Sequence, residues 1–147
     1  DNNAIYDIDK KTLREKKNSD IKNRVKIGNN SSADIFVSIH LNKIPENQYY
    51  GWQTFFKDGN EDGKRLANCI QNNLNETIQN GNKRTPLKIN NVYIIKHVEI
   101  PTVIVECGFL SNNQEALLLT DEKYQNKVAK AICSGTLEYL SSLAEKK

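Results

Sequence analysis

The run IPTVIV at positions 100–105 constrains the fold most, because five of its six residues are apolar or proline. A run of this length and composition is typical of a buried β-strand. It is followed directly by Glu106, and removing a carboxylate from water costs on the order of several kcal/mol unless the charge is paired. The fold must therefore either compensate the charge of Glu106 or use it.

Further apolar runs of strand length alternate with helical patterns along the chain. The predicted core strands are Ile35–Ile39, Thr54–Phe56, Val92–Ile95 and Thr102–Val105. Strands that alternate with helices are typical of α/β proteins, so the order of elements predicts an α/β fold with a partly parallel sheet. The sequence contains no internal repeat and no low-complexity linker.

Two helical patterns are clear. The first repeats an apolar residue at every fourth position and ends before Gly81, which we expect at the C′ position. Its apolar residues are Leu66, Ile70, Leu74 and Ile78. The second is expected to begin near Thr120 and to form the last helix. Its inward-facing residues are Tyr124, Val128, Ile132, Leu140 and Leu143.

Two shorter helices are also predicted. One begins at Ser19 and ends near Gly28, after a polar stretch, residues 1–18, that is expected to form a surface loop. The other follows Ser111, which lies three residues before Gln114 and has the spacing of a capping box.

The composition excludes several classes of protein. The 147 residues are 37% hydrophobic, and no apolar run approaches the roughly 20 residues that a membrane span needs. The net charge of +3 comes from lysines interspersed with acidic residues, so a nucleic-acid partner is not indicated. The three cysteines show no CxxC spacing, and one hydrophobic core is expected at this length.

Two polar residues, His40 and Glu106, directly follow predicted strands. Active sites of α/β proteins lie beyond the carboxyl ends of parallel strands, where the loops converge. His40 is therefore a candidate metal ligand, and Glu106 a candidate ligand or general base. Taken singly, each is better explained by a structural role, hydrogen bonding for His40 and pairing with a Lys or Arg for Glu106. When both residues are considered together, a shared functional site and two separate structural roles explain them equally well.

The other histidine and the cysteine beside Glu106 are weaker candidates. His97 lies in the polar segment KHVE, where a surface position is expected. Cys107 would face the opposite side of the strand from Glu106, as a small core residue. A cysteine nucleophile activated by His40 or His97 is the less favoured alternative, because it requires the thiol beside an imidazole.

Two segments resemble a known family. SADIFVSIHLN (residues 32–42) and IPTVIVECGFLSNNQEALLL (residues 100–119) are similar to the two downstream signature regions of zinc-dependent N-acetylmuramoyl-L-alanine amidases of the amidase-3 type. The similarity extends from about Ser19 to Leu140 and includes Arg24. Within the family, the sequence resembles the spore-cortex amidases of the CwlD type in clostridia and bacilli.

The resemblance implies a zinc enzyme and a role for two residues of this chain. In the family, zinc is held by a His after the first strand, a Glu on the following helix and the His of the SIHxN motif, which corresponds to His40. The Glu of the ExGFxSN motif acts in catalysis and corresponds to Glu106. It would take a proton from a zinc-bound water and return it to the leaving amine. Cys107 is a small departure from the motif, and no substrate-binding residue is assigned.

The resemblance also implies a mixed, mostly parallel sheet with helices on both faces. The first two zinc ligands have no counterpart here, since nothing before Ser32 resembles the strand and Gly-His-Gly loop of the family. Residues 1–147 are therefore expected to form a single catalytic domain without its N-terminal strand and helix. One imidazole cannot hold a catalytic zinc, so the fragment alone is expected to be inactive.

The implied substrate is peptidoglycan. The family cleaves the amide between N-acetylmuramic acid and L-alanine of the stem peptide, and in spore-forming relatives the product leads to muramic-δ-lactam in the cortex. The protein would then act outside the cytoplasmic membrane, in the cell wall or the forespore intermembrane space, with an accessory protein as a further candidate partner. Two alternatives stay open: a non-catalytic remnant that binds peptidoglycan or a partner, and a hydrolase that uses Cys107.

Overall fold

Strands and helices alternate along the chain in a computed structural model that describes residues 4–79 and 81–144. The strands in these ranges are β1 (Phe36–Asn42), β2 (Gln53–Lys57), β3 (Leu87–Ile89) and β4 (Thr102–Phe109). The helices are α1 (Leu13–Asn30), α2 (Glu61–Ile78), α3 (Tyr93–His97), α4 (Asn113–Leu118) and α5 (Glu122–Ala144). The predicted α/β class is confirmed.

The strands form one mixed sheet in the order β1-β4-β2-β3. β1 pairs with β4 in parallel and β2 pairs with β3 in parallel, while the central β4–β2 pairing is antiparallel. The sheet is therefore mostly parallel, as the resemblance implied. Because β1 and β4 are parallel neighbours, their carboxyl ends lie at the same edge of the sheet.

Helices cover both faces of the sheet, also as expected. On one face, α2 and α5 pack against Val103 and Val105 of β4, which are completely buried. On the opposite face, α1 and α3 enclose a smaller cluster whose buried members are Val25, Ile94 and Val98. Because both faces of β4 are covered, its sequence is apolar without the alternation of a half-exposed strand.

Helices α2 and α5 approach each other closely at Gly135. A Cβ atom at this position would lie 2.5 Å from Ile70 Cα and 2.6 Å from the carbonyl oxygen of Cys69. No side chain fits in this gap, so glycine at position 135 permits the close contact between the two helices.

The predicted strand Val92–Ile95 is wrong. The segment begins the short helix α3, with Val92 as its N-cap and with Ile94 and Ile95 buried. Four apolar residues fit a strand or one buried helical turn equally well, and here packing against Val25 of α1 favours the helix. The additional strand is β3, which has only three residues and pairs with β2.

Helix α1 begins earlier than predicted. The expected surface loop is confirmed for residues 4–12, residues 13–18 are helical, and residues 1–3 lie outside the described part of the chain. A capping box starts the helix: the Thr12 hydroxyl accepts a hydrogen bond from Glu15 N, and the Glu15 carboxylate accepts one from Thr12 N at 2.9 Å. Five of the six residues 13–18 are exposed, so the first turns of α1 carry no apolar periodicity in the sequence.

The two longest helices lie close to their predicted positions. α2 ends with Gln79 in the left-handed conformation (φ 52°), so its C-cap precedes the predicted Gly81 by two residues. α5 begins at Glu122, near the predicted start at Thr120. No helix in the described ranges is both long and apolar enough to span a bilayer.

Candidate active site at the carboxyl ends of β1 and β4

His40 and Glu106 are register partners at the carboxyl ends of β1 and β4. The parallel pairing runs from Phe36 opposite Thr102 to His40 opposite Glu106, and the register shifts before Asn42. Partners on neighbouring strands lie about 5 Å apart and point to the same face of the sheet. The structure therefore places His40 and Glu106 side by side at one edge of the sheet.

The His40 side chain is exposed at this edge of the sheet. Its Nε2 atom lies 2.9 Å from Ser38 Oγ, on the same face of β1. Neighbouring atoms remove part of the water from the ring, and this desolvation, together with the positive charge of Arg24, lowers the pKa of His40. The neutral imidazole, which is the form that binds metal ions, is favoured. Beside the ring, Asp20 and Arg24 of α1 line a cleft of about 580 Å³.

The Glu106 carboxylate is half-buried, and no charge in residues 4–79 and 81–144 pairs with it. Its Oε2 atom is buried and has no hydrogen-bond donor among the residues that the structure describes, and no Lys or Arg of those residues forms an ion pair with it. Burial raises the pKa of Glu106. An uncompensated carboxylate disfavours folding, so a role in chemistry explains this glutamate better than the ion pair considered from the sequence.

Cys107 and His97 are not part of this arrangement. Cys107 lies on the opposite face of β4, in the core formed with α2 and α5, and burial raises the pKa of its thiol to about 12. His97 ends α3, where its ring stacks on Tyr93 with the centroids 4.2 Å apart. The thiol is protonated at neutral pH and points away from the face that carries His40, which argues against the cysteine-hydrolase alternative.

Sequence reasoning missed Glu115, which supports the segments beside the site. Only 4% of this residue is exposed, and its two carboxylate oxygens accept hydrogen bonds from Gly51 N at 2.6 Å and Phe109 N at 2.7 Å. Burial raises the pKa of Glu115, and these bonds and the positive charge of Arg84 oppose the shift. The signal in the sequence was an acidic residue directly before the apolar run ALLL.

The SNN segment ties the β1–β2 loop (residues 43–52) to the start of α4. Ser111 Oγ accepts a hydrogen bond from Ile44 N at 3.5 Å, and Asn112 Nδ2 donates to the carbonyl oxygen of Asn47 at 3.1 Å. Asn112, rather than the predicted Ser111, also caps α4, because its side chain accepts hydrogen bonds from the first N–H groups of the helix. The motif therefore fixes the loop next to the carboxyl end of β4.

The described residues do not form a complete metal site. Within residues 4–79 and 81–144, no group of three or more His, Cys, Asp or Glu side chains is arranged to hold a metal ion. A catalytic zinc generally takes three protein ligands and an open position. His40 and Glu106 supply one imidazole and one carboxylate, which fit only part of such a site.

Comparison with known proteins identifies the family. The sequence matches N-acetylmuramoyl-L-alanine amidases over residues 6–138, which is most of the chain. The chain belongs to this amidase family. Amidases of the family generally depend on zinc.

This chain is 37% identical over 126 residues to the germination-specific N-acetylmuramoyl-L-alanine amidase of Bacillus subtilis strain 168. The match covers 86% of this chain and 53% of that relative, so the chain spans about half of the relative's length.

Solved amidase structures share the fold. The CwlD amidase of Clostridioides difficile, solved in complex with the GerS lipoprotein, is 45% identical with a TM-score of 0.92, and the match covers 97% of this chain and 73% of that chain. The N-acetylmuramoyl-L-alanine amidase of Clostridium difficile 630 is 34% identical with a TM-score of 0.77, over 83% of this chain and 66% of that chain. The mixed sheet and its covering helices are therefore those of the amidase family.

Proposed function

We propose that the full-length protein hydrolyses the amide bond between N-acetylmuramic acid and L-alanine of the peptidoglycan stem peptide. The proposal is carried by the register pairing of His40 with Glu106, whose carboxylate lacks a partner in the described part of the chain. In a member of the N-acetylmuramoyl-L-alanine amidase family, these are residue types that metal-assisted amide hydrolysis requires. The activity is proposed for the full-length protein because the chain spans about half of the Bacillus subtilis relative.

Glu106 is the proposed general base. It accepts a proton from the attacking water and returns that proton to the amino group of L-alanine as the amide bond breaks. Its partial burial raises its pKa, which brings proton uptake and release closer to neutral pH than for an exposed carboxyl. Groups of this kind contribute about 10²–10⁴-fold to the rate.

His40 is the proposed zinc ligand within this chain. Its position beside Glu106 and the lowered pKa of its ring support ligation by the neutral imidazole. Zinc, when bound, lowers the pKa of a coordinated water and polarises the scissile carbonyl. Two further protein ligands would come from residues outside the 147, and we propose that the chain is the larger part of a single catalytic domain.

We also propose that the protein acts outside the cytoplasmic membrane, in maturation of the spore cortex. The similar Bacillus subtilis protein is named germination-specific, and the similar CwlD structure is a complex with the GerS lipoprotein. These relatives support a cortex substrate, in which removal of stem peptides precedes formation of muramic-δ-lactam, and an accessory protein as a partner.

Hydrolysis of purified muropeptides by the full-length, zinc-loaded protein tests the proposal. We expect release of stem peptides that begin with L-alanine, loss of this release after chelation, and recovery when zinc is restored. Alkylation of thiols should leave most of the activity. Binding of glycan without any peptide release would instead support the non-catalytic remnant.

A further inference from the structure

Arg84 forms hydrogen bonds through its backbone but not through its guanidinium group, within the residues that the structure describes. Its N–H donates to Asn82 Oδ1 at 3.0 Å, and its carbonyl oxygen accepts from Asn75 Nδ2 at 3.3 Å. The side chain makes no hydrogen bond or ion pair with any residue in the ranges 4–79 and 81–144, although its Nη1 atom is buried. A guanidinium carries five N–H donors, so those of Arg84 call for an acceptor that the described residues do not supply.

The segment that contains Arg84 is hydrogen-bonded to β2, the strand that pairs with β4 at Glu106. In the antiparallel β2–β4 pair, Gln53 is the register partner of Glu106. The Gln53 amide donates to the carbonyl oxygen of Thr85 at 2.7 Å, and Gln53 is almost completely buried. The residue after Arg84 is therefore bound to the side chain directly across from the proposed general base.

A second contact positions the guanidinium itself. Arg84 Cζ lies 5.4 Å from the centroid of the Phe109 ring, and the Tyr49 ring lies 6.2 Å from the same ring at an angle of 34°. Tyr49 belongs to the β1–β2 loop and is 44% exposed. Phe109 follows Glu106 by three residues on β4, but it is paired with Asn42, only two residues after His40 on β1. Because of this register shift, the separation of Glu106 and Phe109 along the strand is about 7 Å. These three side chains are called the Tyr49–Phe109–Arg84 cluster.

Glu115 does not neutralise Arg84 by direct contact. The positive charge of Arg84 lowers the pKa of the Glu115 carboxyl. However, the two carboxylate oxygens of Glu115 accept hydrogen bonds from the backbone N–H groups of Gly51 and Phe109, not from Arg84. The N–H donors of Arg84 therefore form no hydrogen bond with Glu115. Arg84 is partly exposed as a residue, and a guanidinium with unused donors is suited to bidentate recognition of a carboxylate.

We propose that the Tyr49–Phe109–Arg84 cluster binds a carboxylate of the stem peptide, on the residue that follows L-alanine. This proposal rests on the amidase activity proposed above. An extended peptide advances about 3.3–3.6 Å per residue. The second residue therefore lies about 7 Å from the scissile amide, which matches the separation of Glu106 and Phe109 along β4. The exposed Tyr49 ring would contact the peptide beside that carboxylate.

Binding to the full-length protein tests the subsite without requiring turnover. The probes are two synthetic muramyl peptides, whose second residue bears a free carboxylate in one and the carboxamide in the other. In the Glu106→Gln background, we expect the carboxylate peptide to bind about 10–100-fold more tightly, because a hydrogen bond to a charged group is worth that factor. Adding Arg84→Gln should bring the ratio of the two Kd values close to one.

Kinetics with Glu106 intact separate binding from chemistry. In the zinc-loaded enzyme, Arg84→Gln should raise KM for the carboxylate peptide and change kcat little. Arg84→Lys, which keeps the charge but not the planar fork, should give an intermediate ratio and also serves if Arg84→Gln does not fold. The matched control is Arg65→Gln, since Arg65 also lies over an aromatic ring, 5.8 Å from the Tyr139 centroid, but pairs with Asp62.

Two results would overturn the subsite. One is a full-length protein that binds both peptides equally well, and the other is an Arg84 variant that weakens both peptides by the same factor. Preferential binding of the carboxylate peptide that depends on Arg84, in a zinc-loaded protein that hydrolyses neither peptide, would support the subsite and reject the amidase activity.

Discussion

His40 lies beside Glu106 in the parallel register of β1 and β4, yet the imidazole and the carboxylate are not hydrogen-bonded to each other. The imidazole contacts Ser38 instead, and one oxygen of the carboxylate has no donor within the described residues. A histidine and a glutamate that served only to stabilise the sheet would be expected to satisfy each other or a nearby charge. Their arrangement is that of two groups available for a shared reaction.

Replacing Glu106 with Gln should separate activity from stability. The amide keeps the shape of the side chain but cannot act as a base, so turnover in the full-length enzyme should fall about 10²–10⁴-fold while bound zinc is retained. The melting temperature should be unchanged or higher, because a neutral amide is less costly to bury than a carboxylate. Muropeptide release, zinc content and melting temperature are measured on the same preparation. A destabilised protein whose folded fraction is fully active would contradict the catalytic assignment.

The stability difference between the wild-type protein and Glu106→Gln should depend on pH. Burial raises the pKa of Glu106 above its ordinary value of 4.5, so the folded state binds this proton more tightly than the unfolded state. The stabilisation from the carboxyl is complete below about pH 4.5 and is lost as the pH rises through the folded pKa. Denaturant unfolding should show the wild type losing stability relative to the variant as the pH is raised from about 4 to 7. A constant difference would show that the carboxylate is compensated in the folded protein.

Replacing His40 with Ala should lower the zinc content of the full-length protein and abolish muropeptide hydrolysis, because the loss of one of three ligands opens the site. Metal analysis after dialysis measures the first effect. Ser38→Ala, which removes only the hydroxyl that contacts the ring, serves as the control and should retain zinc. The 147-residue chain alone should bind zinc weakly or not at all, and tight stoichiometric zinc in it would mean that the ligands are assigned wrongly.

Replacing Glu115 with Gln should destabilise the protein, in contrast to Glu106→Gln. The amide nitrogen would face the N–H of either Gly51 or Phe109, and a buried donor left without an acceptor costs about 1–3 kcal/mol. Denaturant unfolding measures this loss. Glu76→Gln, at an exposed position of α2, is the matched control and should change stability little. Equal stability of the Glu115 and Glu76 variants would contradict the role of Glu115 in holding the loop.

Replacing Cys107 with Ser should leave the activity of the folded, zinc-loaded enzyme largely intact. The thiol is buried on the face of β4 opposite His40, so the substitution costs about 1–3 kcal/mol for a buried hydroxyl but removes no reacting group. Activity per folded molecule is the measurement, with Cys133→Ser at an exposed position as the control. Loss of turnover in a protein that folds and holds zinc would favour the cysteine hydrolase.

The sequence predicts the elements whose local pattern and tertiary environment agree. β1, β2 and β4 carry apolar runs, and α2 and α5 carry long apolar periods, so their positions are confirmed within a few residues. The apolar pattern does not predict the structure of segments whose conformation depends on contacts with distant residues or on polar caps. Val92–Ile95 becomes helical against α1, and the early turns of α1 depend on polar caps rather than on apolar spacing.

The candidate site is predicted in the same uneven way. His40 and Glu106 are found because each follows a strand and each matches a family motif. Glu115 and Arg84 are not found, because their significance comes from contacts across the fold. Glu115 binds the N–H of Gly51, which is 64 residues earlier, and Arg84 lies against a ring of β4. Neither contact leaves a periodic trace in the sequence.

The pairing of β1 with β4 joins the most distant partners in the described sheet, since Phe36 lies opposite Thr102. During synthesis β1 emerges well before the strand that it pairs with, and closing such a long loop slows folding more than local contacts do. The α1 capping box and the α2 helix can form earlier from neighbouring residues. A nascent chain that has not yet reached Glu106 therefore cannot assemble the histidine and glutamate pair, and the proposed peptidoglycan-cutting chemistry is withheld until the sheet is complete.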